Sequence, residues 1–195
     1  MNTMTKLNEI TTDLITGVAA RIPNPDEQDV YSVINIKDII DGRVDTTSLD
    51  KRVITSPRIK PESYVKEGDL VIAIRGPNFK VGIIDTSSQG FLFTTNLIGL
   101  RLDPNKALPE VVAAYLNSPE GQHTIASNAR GVITPSINKK DLLGIKIPLP
   151  SIETQQQVQH YLKNTEDYLH LLHHEEASVR KIRDYVIFRS LGVNR

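Results

Sequence analysis

The pattern of apolar and polar positions changes near residue 150, from short alternating segments to a long seven-residue repeat. Before this point, Val30–Ile36 and Leu70–Ile74 have the composition of strands, and Val81–Ile84 is a further short apolar run. The turn chemistry of Gly76-Pro77-Asn78 separates two of these segments. The pattern predicts an α+β fold in which a compact domain of short strands and helices occupies residues 1–150.

Proline residues mark further boundaries in this first part of the chain. Phe91–Leu102 combines apolar residues with a polar Thr94-Thr95-Asn96 interruption. Pro109 begins an apolar run that stops before Pro119, as expected of a helix with proline in its first turn. A second helix is predicted from Pro119 to Ala129. These residues therefore contribute a pair of helices to the predicted domain.

The segment from Ile145 to Glu153 has the pattern of a strand that leads into a helix. Apolar and polar residues alternate from Ile145 to Leu149, as in a half-buried strand. Pro150 ends the strand, because proline has no N–H to donate. Ser151 stands where a helix N-cap is expected, and Glu153 suits the positive end of the helix dipole. The sequence therefore predicts a boundary near residue 150, with a C-terminal helix over residues 151–195.

A seven-residue apolar repeat runs from Val158 to Arg189. At about 1.5 Å per residue this span is roughly 48 Å long, which is too long to be buried on one small domain. The repeat predicts a long C-terminal coiled-coil helix, although Thr165, Glu175 and Arg189 interrupt the seam. A single amphipathic helix folded back on the domain is the alternative. The residues predicted to form the dimerisation seam are Val158, Tyr161, Leu162, Leu169, Leu172, Val179, Ile182 and Val186.

The chain has a formal net charge of zero, but its charges are unevenly distributed. Residues 1–50 carry four basic and nine acidic side chains, residues 51–150 carry thirteen and eight, and residues 151–195 carry six of each. A basic middle region suits phosphate, although an ordinary solvated surface has a similar composition. Basic residues position phosphates, and short polar residues near them read base edges. The candidates for DNA binding lie in three predicted loop groups: Lys51, Arg52, Arg58 and Lys60; Arg75, Asn78 and Lys80; and Arg130, Thr134, Ser136, Asn138, Lys139 and Lys140.

Several classes of protein are disfavoured by what the sequence lacks. It contains no cysteine, and therefore no disulfide and no thiolate metal site. No run reaches the roughly 18 apolar residues that span a bilayer, and the N-terminus lacks the apolar core of a signal peptide. We therefore expect a soluble cytoplasmic protein with no membrane partner. His170, His173 and His174 lie on neighbouring helix faces, but without a carboxylate or cysteine shell they indicate a polar face rather than a metal site.

The sequence contains no recognisable catalytic motif. It has no glycine-rich nucleotide loop, no P-loop, and no Asn/Asp-Pro-Pro-aromatic motif for adenine methylation. Glu62, Glu67 and Asp69 are close in sequence, but none belongs to the Glu-x-Lys pattern that an Mg²⁺ nuclease needs. Asp69 after Gly68 instead has the pattern of a turn before a strand. The sequence predicts a binding and assembly protein and not an enzyme.

Five segments of the chain occur in the order that is typical of one known family. Lys6–Ile10 followed by Tyr31–Gly42 is similar to its opening strands, Val65–Gly76 to its Gly-Asp strand, Tyr115–Gln122 to its helix before the last loop, and Lys140–Gln157 to its Pro-Leu-Pro segment. On these residues the chain resembles the specificity (S) subunit of type I restriction-modification enzymes. Thr154 departs from the family, which commonly has a second glutamate there. The length departs further, since a typical member has two target recognition domains and two long helices.

The resemblance implies a non-catalytic, sequence-specific DNA-binding half-subunit. One target recognition domain, residues 1–150, would read one half of a bipartite site, and the helix over residues 151–195 would serve as spacer, dimerisation element and docking rod. The implied partners are double-stranded DNA, methyltransferase (M) subunits, restriction (R) subunits where they are present, and a second copy or another half-subunit. No cofactor is expected in this chain, whereas S-adenosylmethionine, Mg²⁺ and ATP are expected in the partner subunits.

Other functions remain open from the sequence alone. The chain is also compatible with the specificity chain of a type IIB-like or related modification system. A non-DNA-binding oligomerisation or inhibitor protein that mimics an S subunit belongs to a different class. An Mg²⁺ nuclease is a third alternative, although its motif is missing.

Overall fold

The computed structural model describes residues 3–56, 59–131 and 133–191, with the side chain of His170 excepted. The chain divides into two compact units between Gln155 and Gln156. The first unit holds the sheets and the short helices, and the second consists of the remainder of the last helix. The α+β fold with a long C-terminal helix that the sequence predicted is confirmed. Among the described residues, none of the helices combines the length and the apolar content that crossing a bilayer requires.

The order of elements begins with short strands and ends with the long helix. Two 3-10 turns, Ile36–Asp38 and Pro61–Ser63, connect strands in the first unit. The strands and helices are β1 (Thr3–Lys6), α1 (Leu7–Ile10), β2 (Thr11–Thr16), β3 (Ala20–Arg21), β4 (Tyr31–Ile34), β5 (Ile39–Ile40), β6 (Arg43–Val44), β7 (Asp50–Ile54), β8 (Leu70–Ala73), β9 (Val81–Ile83), β10 (Leu92–Phe93), β11 (Leu97–Leu102), α2 (Pro109–Asn117), α3 (Pro119–Ser127), α4 (Lys139–Gly144), β12 (Lys146–Leu149) and α5 (Ile152–Ser190).

The strands of the described residues form three sheets. The six-stranded sheet has the order β2-β11-β8-β9-β6-β5, the four-stranded sheet has the order β10-β4-β7-β3, and β1 pairs with β12. The β10–β4 and β6–β9 pairs are parallel, whereas β11 is antiparallel to both β2 and β8. In the β1–β12 pair, Thr3 lies opposite Leu149 and Lys6 lies opposite Lys146. This pair joins the beginning of the chain to the strand that precedes the long helix.

The six-stranded sheet is covered on both faces, and β8 shows this most directly. Leu70 and Ile72 belong to one core, which also contains residues of α2, α3 and α4. Val71 and Ala73 belong to a second core, which contains residues of the four-stranded sheet. A strand that is covered on both sides has no polar face, which explains the uninterrupted apolar run that begins at Leu70.

A buried ion pair connects the start of β8 to β11. The Nε and Nη2 atoms of Arg101 donate to the two carboxylate oxygens of Asp69 at 2.8 and 2.7 Å. The Asp69 side chain is only 1% exposed, and it also accepts from the N–H of Lys66 at 2.7 Å. Gly68, which precedes it, has a φ of 84°, a conformation that favours glycine. The Gly-Asp pair therefore provides both the turn into β8 and the anion that Arg101 binds, and this contact raises the pKa of Arg101.

A second buried polar residue, Gln155, attaches the first turn of α5 to the first unit. Its Oε1 accepts from the N–H of Leu108 at 2.9 Å. Its Nε2 donates to the carbonyl oxygens of Lys106 at 3.0 Å and Pro150 at 2.9 Å. The predicted N-cap is also present, since the N–H of Thr154 donates to Ser151 Oγ at 3.4 Å. The glutamine after the Pro-Leu-Pro segment therefore fixes where the helix begins.

The main predicted elements are present, with small shifts at their ends. β8, β9, α2 and α3 lie where the sequence predicted them, and the polar Thr94-Thr95-Asn96 interruption separates β10 from β11. Lys6–Ile10 was wrongly interpreted as part of an opening strand, because Leu7–Ile10 forms the single turn α1. Leu7 and Ile10 are both buried on one side of this turn, and the Thr11 hydroxyl donates to the carbonyl of Leu7 at 2.7 Å.

The Asp69–Arg101 pair generates a stability prediction. We expect Arg101→Met to lower the free energy of unfolding by about 3 to 5 kcal/mol, because it leaves a buried carboxylate without its cation. Urea unfolding followed by circular dichroism measures the change. Asp13→Asn is the matched control: Asp13 is the exposed partner of the same arginine, 3.6 Å away, so its loss should cost no more than about 1 kcal/mol. Equal effects of the two variants would show that the buried pair does not stabilise the sheet.

Candidate nucleic-acid interface

Two connecting segments of the first unit lie side by side, and they contain many of the predicted DNA-binding residues. The N–H of Gly76 donates to the carbonyl of Pro135 at 3.0 Å, and the N–H of Ile137 donates to the carbonyl of Ile74 at 3.0 Å. Arg75 and Ser136 also form a β-bridge. We term residues 75–80 and 130–138 the paired loops, with Val132 outside the described residues.

The first of the paired loops is held by two side-chain amides. Asn117 accepts from the N–H of Val81 at 3.0 Å and donates to its carbonyl at 2.8 Å. Gln122 accepts from the N–H of Phe79 at 3.1 Å and donates to its carbonyl at 3.0 Å. Each amide thus satisfies both backbone groups of one residue, as a neighbouring strand would. The backbone that follows Asn78 is fixed by these contacts.

The junction between α2 and α3 positions both amides, that of Gln122 at Phe79 of the loop and that of Asn117 at Val81, the first residue of β9. Ser118 caps α3 by accepting from the N–H of Gly121 at 3.2 Å, and Pro119 occupies the first turn. Gln122 Nε2 also donates to the carbonyl of Leu116 at 2.8 Å, which holds the amide in place. The Tyr115–Gln122 segment therefore positions the loop. The sequence pattern did not identify Asn117 and Gln122, because an amide in a helix gives no periodic signal.

The second of the paired loops is closed by its own backbone. Arg130 and Ser136 exchange two N–H to carbonyl hydrogen bonds of 2.8 Å each. The side chain of Arg130 is 81% exposed, and its Nη2 lies 3.5 Å from the carboxylate of Asp141. Asn138 caps α4, since its Oδ1 accepts from the N–H of Asp141 at 2.9 Å and its Nδ2 donates to the Asp141 carboxylate at 2.7 Å. The side-chain amide of Asn138, which we predicted to read a base, therefore forms the cap of α4.

The structure separates the third predicted group into loop and helix. Lys139 and Lys140 were predicted in a loop, but they begin helix α4. Asn138 followed by Asp141 is a capping pattern, and Leu142 behind it is fully buried. This signal was available in the sequence. Both lysines are exposed, and Lys139 Nζ donates to Thr16 Oγ1 at 3.0 Å.

Around the paired loops, the structure brings together residues from two of the three predicted groups. Arg75, Asn78 and Thr134 are exposed, and Ser136 is half-buried. Lys80 has a structural contact instead, because its Nζ donates to the carbonyl of Ile39 at 2.9 Å. Of the predicted residues on the paired loops, Arg75, Asn78, Arg130 and Thr134 are exposed and are not used to cap a helix.

The remaining predicted group lies on another part of the first unit. Lys51 and Arg52 were predicted in a loop, but they belong to β7, which pairs with β4 and β3. Lys51 Nζ donates to Ser32 Oγ at 2.8 Å. Lys60 lies 3.8 Å from Glu62, and Arg58 lies outside the described residues.

The charge of Arg52 is partly neutralised within the sheet. Its Nη2 donates to Asp50 Oδ2 at 2.7 Å, and Lys37 Nζ donates to Asp50 Oδ1 at 2.7 Å. These hydrogen bonds, that from Lys37 first and that from Arg52 second, lower the pKa of Asp50 and keep it ionised. A basic residue with a fixed carboxylate partner offers less positive potential to phosphate than an exposed arginine.

Within the described residues, no group of three histidine, cysteine, aspartate or glutamate side chains has an arrangement that could hold a metal. The chemistry of the paired loops is that of exposed guanidinium, amide and hydroxyl groups on a fixed backbone. Such groups bind anions, and they form hydrogen bonds with the edges of bases.

The chain is similar to known proteins of one family. The sequence model of the type I restriction modification DNA specificity domain matches residues 13–181. The type I restriction enzyme EcoBI specificity subunit of Escherichia coli is 28% identical over 138 residues, which are 70% of this chain and 28% of that protein. The chain therefore spans less than a third of this curated relative.

Solved structures share the fold. The HsdS subunit from Thermoanaerobacter tengcongensis superimposes with a TM-score of 0.65 and 17% identity, covering 97% of this chain and 48% of that chain. The S subunit of a type I restriction-modification system from M. genitalium superimposes with a TM-score of 0.60 and 18% identity, covering 94% and 44%. Here the chain corresponds to about half of each solved subunit.

The amide contacts lead to a prediction about the first of the paired loops. We expect Gln122→Ala to lower the free energy of unfolding by about 1 to 3 kcal/mol, because it leaves both backbone groups of Phe79 unsatisfied. Hydrogen exchange at the Phe79 amide should accelerate. His123→Ala is the matched control, since it alters the next, exposed residue of the same helix and should change stability by no more than about 0.5 kcal/mol. Unchanged exchange at Phe79 in Gln122→Ala would contradict the positioning role.

Proposed function

The chain belongs to the type I restriction modification DNA specificity domain family, and from this premise we propose that it reads one half of a bipartite DNA site through the paired loops. The observation that carries the proposal is the surface formed by these loops. It presents the exposed Arg75 and Arg130 beside the exposed Asn78 and Thr134, on backbone that is held by hydrogen bonds. Charge and short polar groups on rigid backbone are what sequence-specific binding requires.

The proposed roles follow from the chemistry of each side chain. Arg75 and Arg130 bind phosphates, because a guanidinium offers several donors in a fixed plane. Asn78 and Thr134 are the candidates for reading base edges, since an amide and a hydroxyl both donate and accept. Asn138 is a weaker candidate than Asn78, because its amide caps α4. Lys139 and Lys140 lie next to the loops at the start of that helix.

The proposal gives the long helix a separate role in assembly. α5 has 39 residues, which is about 58 Å at 1.5 Å per residue. Of the predicted seam, Val158 and Leu162 are half-buried, and the others are exposed. An exposed stripe of this size is stabilised by a second helix. The chain corresponds to about half of the solved HsdS subunit, and the partner that we propose for this helix is a second copy or another half-subunit.

Catalysis belongs to other subunits under the proposed function. In it, this chain brings methyltransferase subunits, and restriction subunits where they are present, to a chosen DNA site. S-adenosylmethionine, Mg²⁺ and ATP belong to those partners, and the present chain provides binding and geometry. The repeat of the helix then sets the spacing between the two half-sites, because a stiff helical pair has a fixed length.

DNA binding is tested with the chain assembled with its methyltransferase partner. We expect the double variant Arg75→Ala and Arg130→Ala to weaken binding to all duplexes, and to reduce the slope of log K against log salt by about 1 to 2, because two phosphate contacts are lost. Fluorescence anisotropy at several salt concentrations measures both quantities. Lys146→Ala, an exposed lysine on β12, is the control and should leave the slope unchanged.

Three results would contradict this assignment. An unchanged salt slope in the double variant would mean that the paired loops do not contact phosphate. Partner binding without any DNA binding by the wild type would instead support an inhibitor that mimics an S subunit. Cleavage by the chain alone would support a nuclease.

Self-association is tested through the seam of α5. We expect Leu172→Asp with Val179→Asp to convert a dimer into a monomer in light scattering, because two charges would be buried against the partner helix. His174→Asp with Ala177→Asp adds the same number of acidic groups at other positions of the repeat, and should leave the dimer intact. A wild-type chain that is monomeric at micromolar concentration would rule out the homodimer.

A further inference from the structure

Ile133 is an apolar side chain in an unusual position. It is 97% exposed, which is the highest value among the large hydrophobic residues that the structure describes as exposed. It lies in the second of the paired loops, between Arg130 and Ser136. A single exposed apolar residue is ordinary on a protein surface. Ile133 differs from an ordinary exposed residue because it lies among cationic and polar side chains that can bind DNA.

The loop that carries Ile133 is anchored at its base on both sides. The two hydrogen bonds between Arg130 and Ser136 close it, and those from Gly76 to Pro135 and from Ile137 to Ile74 attach it to the neighbouring loop. Gly131 has a φ of 94°, and an added Cβ there would lie 3.0 Å from the carbonyl oxygen of Thr134. The turn thus depends on a glycine next to the closed base. Ile133 is therefore exposed on a short loop whose base is held by hydrogen bonds.

The charges around the loop favour a polyanion over another protein surface. Arg75 and Arg130 are exposed on the two loops, and Lys140 is exposed just beyond them. Asp141 is the acidic group beside Arg130, at 3.5 Å, and it also holds the Asn138 cap. An apolar side chain among cations has a natural counterpart in DNA, because thymine places a methyl group in the major groove next to the phosphate backbone.

We propose that Ile133 is a specificity-determining residue that contacts the methyl group of a thymine in the half-site. This inference rests on the proposed function and deepens it. Arg75 and Arg130 hold the backbone and do not distinguish sequences, whereas Ile133 distinguishes thymine from cytosine by an apolar contact. Since no ion is displaced by such a contact, Ile133 contributes to sequence preference without contributing to the salt dependence of binding.

The experiment uses the chain with its methyltransferase partner and a duplex enriched from a random library by that wild-type complex. Each thymine of the duplex is replaced in turn by deoxyuridine, which removes one methyl group. We expect one replacement to weaken wild-type binding about four-fold, as the loss of one buried methyl group predicts. Ile133→Ser should bind the parent duplex equally weakly, should not respond to that replacement, and should keep the wild-type salt slope.

Two control variants make the outcome specific. Ile133→Val retains a branched apolar side chain and should keep most of the response to the replacement. Ile22→Ser changes another exposed isoleucine, 72% exposed and outside the paired loops, and should behave as the wild type. The inference is overturned if Ile133→Ser binds the parent duplex as tightly as the wild type, or if both respond alike to every replacement.

A different result would contradict the proposed function. A wild-type complex that enriches no sequence from the library would overturn DNA recognition itself, and the role of Ile133 with it. A wild-type complex with a clear preference that Ile133→Ser retains would overturn only the role of Ile133. Loss of partner binding in Ile133→Ser, with no effect of any deoxyuridine on the wild type, would show that Ile133 faces a protein and would also overturn the inference.

Discussion

The candidate interface depends on one constraint, which is that the backbone of a binding loop must have its hydrogen bonds satisfied without being enclosed by a sheet. Here the amides of Asn117 and Gln122 bind both backbone groups of Val81 and Phe79. They replace a neighbouring strand along this edge of β9, and the residues before it remain available at the surface. Because an unsatisfied buried amide group is costly, these two side chains keep the loop in one conformation.

Buried polar groups recur where two parts of the first unit must keep a fixed relation. Asp69 and Arg101 join the turn before β8 to β11, and Gln155 joins the first turn of α5 to the segment before α2. The apolar cores on the two faces of the six-stranded sheet provide most of the stabilisation, but apolar packing is not directional. Hydrogen bonds with defined partners determine the register of the elements. A recognition surface needs such a fixed register.

The distribution of charged residues along the sequence does not show which basic side chains are accessible to a ligand in the folded protein. The basic middle region indicated an affinity for phosphate, yet several of its cations have partners within the protein. Arg52 binds Asp50, Lys80 binds a backbone carbonyl, and Lys139 binds Thr16. Arg75 and Arg130 are exposed on the paired loops. The contribution of a basic residue to binding therefore depends on which partners the fold places next to it.

The sequence by itself determined the fold class, the main apolar strands, the α2–α3 pair, and the start of the long helix at Ser151. These features follow from short-range rules, because periodicity, proline and capping residues act within a few positions. The polar strand β7 and the turn α1 were missed, since pairing with distant strands and burial against other elements outweigh local composition there. Only the tertiary structure decided that residues 75–80 lie against residues 130–138, and which cations remain exposed. Those contacts join residues more than fifty positions apart, and no local pattern records them.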